Sequence, residues 1–364
     1  MAAGTSRASV EFRAVVKQYG AVRAVNDINF TIEPGTLVTL LGPSGCGKTT
    51  TLRLIAGLEI ATSGQILIGG EDVTLRSAAE RDVSMVFQSY ALFPHMSVFE
   101  NVAYGPTVQG MPKQKIRDLV HEKLTLVGLA GLENRAPSEL SGGQQQRVAV
   151  ARALIMEPQV LLFDEPLSNL DAKLRRRVRE EIRELQLDLN LTVAYVTHDQ
   201  EEALAVSDRI IVMHDGRIAQ AGTPVELYEQ PVSLFVADFI GDANLVDAEL
   251  LEERGERALI RLGDLDLDLA RRGARKGPVK LAVRSEGVTL HPARPAGPAL
   301  AGRVSKASYL GKHLEYTVDT VHGSLFVVDH LQTHPIAAGA DAWITFGERG
   351  TIVMPGESAQ VGKA

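Results

Sequence analysis

Cysteine is almost absent from this chain: Cys46 is the only one in 364 residues. No disulfide can therefore close within it, no cysteine-rich metal cluster can be built, and a reducing compartment is the natural setting. Long apolar runs are missing as well. Stretches such as Val160-Leu161-Leu162-Phe163 and Ile210-Ile211-Val212-Met213 have the length of buried strands, far short of the roughly 20 residues of a membrane-spanning helix. Residues 1–10 hold no apolar segment of the kind a secretory signal needs, so none is expected. Positive charge is not in excess: 38 Lys and Arg face 45 Asp and Glu, for a net charge of −7, which argues against a nucleic-acid partner. No repeat recurs at a period of about 20–50 residues, which excludes solenoids and propellers. What remains is ordinary globular composition, 45% hydrophobic and 23% charged, in a chain long enough for about two domains with separate cores. Such a chain is expected to stay in the cytosol unless a partner holds it at a membrane.

Residues 9 to about 240 mix strand-like and helix-like segments. Thr36–Leu41, Gln159–Phe163, Leu191–Thr197 and Arg209–Met213 are short and apolar or β-branched, the pattern of parallel strands covered on both faces. Leu174, Val178, Ile182, Leu185 and Leu189 line one stripe of a helix, while Arg175, Arg176 and Arg177 alternate with glutamates on the other face. The triple arginine thus reads as a solvated face rather than a phosphate patch. Strands alternating with helices predict an α/β layer, with a helical insertion at about 89–155 that lacks buried strands. Asp215-Gly216 signals a hairpin turn. After about residue 243 the character changes: Val279–Val283, Leu314–Val318 and Leu325–Val328 are β-prone and separated by turns. Residues 241–364 therefore read as a smaller all-β domain, and the end after Pro355 as a loose tail.

Gly42-Pro43-Ser44-Gly45-Cys46-Gly47-Lys48-Thr49 matches G-x-x-x-x-G-K-[ST] between a predicted strand and a predicted helix, Thr50–Ala56. Glycines let successive backbone N–H groups converge on phosphate oxygens, and the opening helix turns its positive end toward them. Lys48 reaches the outer phosphates, and the Thr49 hydroxyl suits Mg²⁺. The loop, from Gly42, Ser44, Gly45, Cys46 and Gly47 to Thr49 and Thr50, is the expected nucleotide site, with Cys46 a small filler rather than a nucleophile. A second strand, Val160–Phe163, ends in Asp164 and Glu165. Asp164 suits Mg²⁺ beside Thr49, and Glu165 is placed to act as general base on water in line with the γ-phosphate.

Leu140-Ser141-Gly142-Gly143-Gln144 resembles the signature of ABC ATPases, a P-loop family. Its other elements follow in the family's order over about residues 9–240, and each role below is what the resemblance implies. Tyr19 stacks on adenine. Gln88 contacts Mg²⁺ and the attacking water. Ser168-Asn169-Leu170-Asp171 crosses a dimer interface, with Asp171 near the nucleotide, and His198 grips the γ-phosphate. Ser141, Gly142, Gly143 and Gln144 of one copy close over ATP bound by a second copy packed head-to-tail. The C-terminal region resembles the OB-like regulatory domain of importer ATPases of the polyamine, ferric-iron and sugar group. It carries Val283-Arg284-Ser285-Glu286 where that group has Val-Arg-Pro-Glu.

The resemblance implies an ATPase that energises uptake from the cytoplasmic face of the inner membrane, as a peripheral homodimer docked on separate permease subunits and fed by a solute receptor. Polyamine or ferric iron is the expected cargo, and segment 89–102 is expected to help receive the permease. Only 91 residues lie between Thr49 and Ser141, too few for the long coiled coil of a chromosome-organising relative. A single cassette likewise argues against a translation-associated one. The competing expectation is a nucleotide-controlled switch or sensor uncoupled from transport.

Overall fold

The computed structural model describes residues 7–330 and 335–355, so the expected tail lies outside the described residues. The chain divides between Pro224 and Val225 into two compact units. The first contains, in order, β1 (Val10–Tyr19), β2 (Val22–Ile32), β3 (Leu37–Leu41), α1 (Lys48–Ala56), β4 (Ser63–Ile68), β5 (Glu71–Asp72), β6 (Val83–Val86), α2 (Val98–Val108), α3 (Lys113–Leu126), α4 (Gly142–Leu154), β7 (Val160–Asp164), α5 (Ala172–Leu189), β8 (Val193–Val196), α6 (Gln200–Val206), β9 (Arg209–His214) and β10 (Arg217–Gly222).

The expected parallel layer is a six-stranded sheet of order β10-β9-β3-β8-β7-β6. All of its strands run parallel except β10, which returns through Asp215 and Gly216, both at positive φ (47° and 74°). Strand periodicity divides its side chains between two cores. Val38, Leu40, Leu162 and Val196 face α1 and an antiparallel sheet, β2-β1-β4-β5. Leu37, Leu161, Phe163 and Tyr195 face the other way, toward α4 and α5. Each such fully buried side chain contributes roughly 1.5–3 kcal/mol.

Helix α4 is apolar on two sides. Val150 and Leu154 pack on the sheet, whereas Val148, Ala151 and Ile155 join Val102 of α2 and Val120 of α3 in a separate helical core. The insertion expected at 89–155 is therefore anchored through one shared helix. Helix α5 begins at Asp171, whose carboxylate accepts the Leu174 N–H at 2.9 Å, and ends at Asn190 in the left-handed conformation. Its arginines pair along the exposed face, Arg176 with Glu180 and Arg177 with Glu181.

The antiparallel sheet was not legible in the sequence. Its first strand pair is interrupted by register shifts near Phe12, Val15 and Lys17, with Ala14 and Asp27 at positive φ, so side-chain alternation is lost where it would have shown.

The second unit holds α7 (Pro224–Glu229, whose first residue precedes the division), α8 (Leu234–Phe239), β11 (Asn244–Arg254), β12 (Arg257–Leu262), β13 (Leu265–Ala270), β14 (Gly277–Val283), β15 (Val288–His291), β16 (Leu300–Tyr309), β17 (Leu314–Thr320), β18 (Gly323–Asp329), β19 (Asp341–Phe346) and β20 (Thr351–Pro355). Two five-stranded antiparallel sheets, β13-β12-β11-β14-β20 and β15-β19-β16-β17-β18, share one core that includes Leu250, Leu281, Tyr316 and Ile344. The division falls earlier than the change in sequence character near residue 243 because residues 225–239 pack with this unit. Ala237 lies in a small core with Ala282 and Ile352. Arg284 is buried (1% exposed) and donates to the carbonyls of Ala237 at 2.6 Å, Tyr228 at 2.7 Å and Ile240. Its guanidinium lies 4.3 Å from the centre of the Tyr228 ring.

Arg284→Met should keep most of the buried volume but leave three carbonyls without their donor. The expected loss is about 2–4 kcal/mol, read as a lower denaturation midpoint of the full chain; an unchanged midpoint would show that Arg284 does not hold α7 and α8.

Candidate active site

The site begins with a shape that only glycine permits. Gly42 and Gly47 adopt φ of 155° and 105°. A Cβ on Gly42 would stand 2.3 Å from the Met213 carbonyl oxygen of β9, and one on Gly47 would stand 2.3 Å from that of Ala24 in β2. The loop is thus pressed between the two sheets and opens directly into α1. Gly47 caps that helix without any side-chain hydrogen bond, and no acidic residue occupies the first turn, so its N–H groups remain available to an anion. Lys48 is buried and donates from Nζ to the carbonyls of Gly42 at 2.7 Å and Pro43 at 2.9 Å. The lysine is folded onto its own loop, while Ser44 and Gly45 are exposed. Cys46 is buried, and burial pushes its thiol pKa up against the pull of Lys48, which suits the filler role.

Parallel pairing brings the other groups to the same sheet edge. Leu40 and Asp164 each pair with Val196, and Val86 pairs with Phe163. The residues that follow β3, β6, β7 and β8 therefore emerge side by side at the carboxyl ends, where open α/β sheets bind ligands. The Thr49 hydroxyl is 3.5 Å from Asp164 Oδ1. Burial raises the Asp164 pKa, and the charge of Glu165 adds to this, while Arg53 and Thr49 pull it down. Glu165 sits at φ 46° and is fixed by its N–H to the Val196 carbonyl at 3.0 Å. Its carboxylate lies 3.1 Å from His198 Nδ1. Gln88 is exposed two residues beyond β6, and its carbonyl accepts from Asn169 Nδ2 at 3.1 Å.

Tyr19, 44% exposed, ends β1, and Lys17 Nζ lies 4.7 Å from the centre of its ring. Burial raises its hydroxyl pKa, and Glu59 beside it acts in the same sense, while Arg53 and Thr50 of α1 oppose. The aromatic therefore stands beside the helix that the loop opens, with surface free for a planar ligand.

Two expected elements stand apart within this one chain. Ser141 caps α4 by accepting the Gln144 N–H at 3.4 Å, and Gln144 Oε1 accepts the Ser141 N–H at 2.9 Å. Ser141 is exposed, and Gly142 and Gly143 abut Leu170 and Leu174. Among the described residues no hydrogen bond joins 141–144 to 42–49. Asp171 spends its carboxylate on the cap of α5.

Sequence reasoning missed the groups beneath His198. Glu202 is buried (4% exposed) and accepts from the hydroxyls of Tyr195 and, at 2.7 Å, Thr197. Burial raises the Glu202 pKa against those two donors. The Thr197 hydroxyl also receives the Asp199 N–H at 3.0 Å, and Arg175 reaches Asp199 at 3.4 Å. The turn carrying His198 is thus held from below by groups that show no chemical motif in the sequence.

The cradle fits a triphosphate: a convergent uncapped helix start, a lysine at its floor and a hydroxyl beside a carboxylate. Among the described residues no group of three or more His, Cys, Asp and Glu could hold a metal alone. A lone carboxylate beside a threonine is what Mg²⁺ needs when phosphate oxygens supply the remaining ligands.

Comparison with known proteins agrees with this geometry. Residues 25–168 match the ABC transporter family and residues 281–354 the TOBE domain. The chain is 60% identical over 348 residues to the Fe(3+) ions import ATP-binding protein FbpC 1 of Rhizobium meliloti, covering 96% of this chain and 98% of that one. It is 48% identical to FbpC of Vibrio cholerae over 95% of this chain and 97% of that one. Among solved structures it resembles cbiO1 of Clostridium perfringens, part of the ABC transporter complex cbiONQ, with a TM-score of 0.56 at 30% identity over 60% of this chain and 89% of that one. It also resembles the dimeric MJ0796, a bacterial ABC transporter cassette, with a TM-score of 0.53 at 31% identity over 59% of this chain and 98% of that one.

Gly47→Ala would force a methyl group against the Ala24 carbonyl at a φ that alanine avoids. Titration with a fluorescent ATP analogue should show at least about tenfold weaker binding; wild-type affinity would mean the loop tolerates a different path.

Proposed function

The chain belongs to the ATP-binding subunits of ABC transporters, and from that membership we propose that two copies clamp ATP between them to drive ferric-iron uptake. The protein is an ATPase whose hydrolysis is coupled to transport. Its extensive identity to Fe(3+) import subunits favours ferric iron over polyamine as cargo, and favours coupled import over an uncoupled switch.

The observation that carries the dimer reading is the separation of two anion-binding helix starts. The loop before α1 is open to a triphosphate, whereas Ser141 at the start of α4 is exposed and makes no hydrogen bond to that loop among the described residues. A second copy turned head-to-tail would bring its Ser141, Gly142, Gly143 and Gln144 to the γ-phosphate and its Asp171 to the interface. The dimeric cassette among the structural relatives supports the same reading. ATP that binds the closed pair better than the open one then shifts the pair toward closure.

Within the site Tyr19 stacks on the base, and residues 42–50 hold the phosphates. Lys48 leaves the carbonyls of Gly42 and Pro43 for the outer phosphate oxygens. Thr49, Asp164 and Gln88 would hold Mg²⁺, which when bound neutralises charge on the phosphates. Glu165 takes a proton from water as the water oxygen bonds to the γ-phosphorus and the bond to the β–γ bridging oxygen breaks, releasing ADP and phosphate. His198 has a choice to make. A neutral imidazole donating Nδ1–H to Glu165 presents only a lone pair at Nε2, which repels a phosphate oxygen. To grip the γ-phosphate, His198 must turn a ring N–H toward it, which costs the contact with Glu165 unless both ring nitrogens carry hydrogen.

The subunit is expected to sit at the cytoplasmic face of the inner membrane. Among the described residues no helix is long and apolar enough to cross a membrane; permease subunits are the proposed hold on the membrane. The loop at 93–97 is a candidate docking surface. Buried Asn101 pins it through the Phe93 N–H at 2.8 Å and the carbonyls of Phe93, Met96 and Ser97, leaving Phe93 against half-exposed Tyr104. The β-rich unit, with no candidate metal cluster among its described residues, is assigned a regulatory role.

Glu165→Gln should lower ATP turnover by about 10²–10⁴-fold while ATP-dependent dimers accumulate on size-exclusion chromatography; wild-type turnover would remove Glu165 from the role of base. In vesicles containing the permease and receptor, ferric-loaded receptor should stimulate hydrolysis. Equal stimulation by apo-receptor would refute ferric iron as cargo.

A further inference from the structure

A cavity of about 270 Å³ opens between α4 and α5, near the C-terminal end of α3 and away from the phosphate loop. Its size falls just below the usual range of small-molecule pockets, about 300–1,000 Å³, which suits a small occupant. Buried polar atoms are ordinarily satisfied, yet this lining concentrates exceptions. Seven buried side-chain nitrogens and oxygens without a partner occur among the described residues, and four of them belong to three lining residues: Gln146 Nε2 and Oε1, Arg147 Nε and Glu181 Oε2. Gln146 is 0% exposed. Gln186 on α5 shows the usual alternative, its amide donating to the carbonyls of Gly35 and Leu191 and accepting from Arg183.

The rest of the lining has a clear chemical character. Val150, Val178, Ile182 and Leu185 form an apolar wall. Arg147 is already paired with Glu181 at 2.5 Å. Glu184 and Asp188, one helical turn apart on the exposed rim, make no ion pair among the described residues. Arg147 and Arg177 both pair with Glu181, so the exposed Glu184 and Asp188 leave the mouth negative, and like charges at this spacing repel until a cation arrives.

We propose that this cavity binds a small organic amine, with its ammonium group between Glu184 and Asp188 and its apolar body along the valine and leucine wall. A polar substituent at its inner end would meet Gln146. The occupant would bridge the helix that begins at Ser141 and the helix that begins at Asp171. Because those two starts belong to the proposed nucleotide interface, occupancy would also alter turnover. The binding claim stands without that reading; the coupling claim rests on it.

The probe is benzylamine, with benzyl alcohol as its uncharged counterpart, titrated into the full chain by calorimetry. Saturable benzylamine binding is expected, at least about tenfold tighter than the alcohol and weakened at least about tenfold in the rim variant Glu184→Lys/Asp188→Lys. Retained binding of a fluorescent ATP analogue by that variant checks that it is folded. No saturable binding below about 10 mM, equal binding of amine and alcohol, or equal binding by the rim variant would overturn the site. A crystal soaked in benzylamine that shows only ordered water on Gln146 would also overturn it. If benzylamine binds but leaves ATP turnover unchanged at saturation, the coupling is overturned and the binding site stands.

Discussion

Two backbone carbonyls stand where the phosphate loop would otherwise carry side chains: Met213 O from the parallel sheet and Ala24 O from the antiparallel one. Between them the chain can turn only through Gly42 and Gly47, at backbone angles that other residues avoid. That confinement fixes where α1 begins, which way its N–H groups point and where Lys48 and Thr49 leave the loop. The antiparallel sheet, at first sight remote from catalysis, is therefore one jaw of the proposed nucleotide site.

Strand order supplies the second requirement. Because β3, β8, β7 and β6 are successive parallel neighbours, the loop, His198, Glu165 and Gln88 reach one edge from four distant parts of the sequence. Their support differs in kind. Glu165 is held by the backbone, at positive φ and bonded to Val196. His198 rests above a buried network of Tyr195, Thr197 and Glu202. Asn169 ties the segment after Glu165 to Gln88, so the groups expected to face the attacking water share one hydrogen-bonded frame. Helix α4 reaches both the sheet core and the helical core, which makes it the physical link between the nucleotide edge and the helical insertion. The cavity beside it lies on that link.

Much of the site could be read in advance because its chemistry is local. Gly42–Thr49 is a continuous motif, and an apolar strand ending in Asp164-Glu165 needs few neighbours to be understood. The helix at 172–189 was legible from its apolar spacing, and the Asp215-Gly216 turn from its residue types. Other features were hidden because their cause is remote. The first strand pair is broken by bulges, Glu202 looks like one more acid on a polar helix, and residues 225–239 join the β-rich unit through the side chain of Arg284, far along the chain. Strand β13 is a different case, since Leu265, Leu267 and Leu269 alternate with Asp266 and Asp268 and the signal was present but unread.

The amino-acid order alone pointed to a nucleotide, to the loop proposed to hold it and to the carboxylates proposed to serve it, because each of these is written in short-range covalent spacing. Tertiary structure decided the rest: which carbonyls confine the loop, that Asp171 caps a helix, that His198 meets Glu165, and that buried Gln146 lines a cavity. These depend on distances between residues far apart in the chain, and those distances exist only once the sheets and helices have packed.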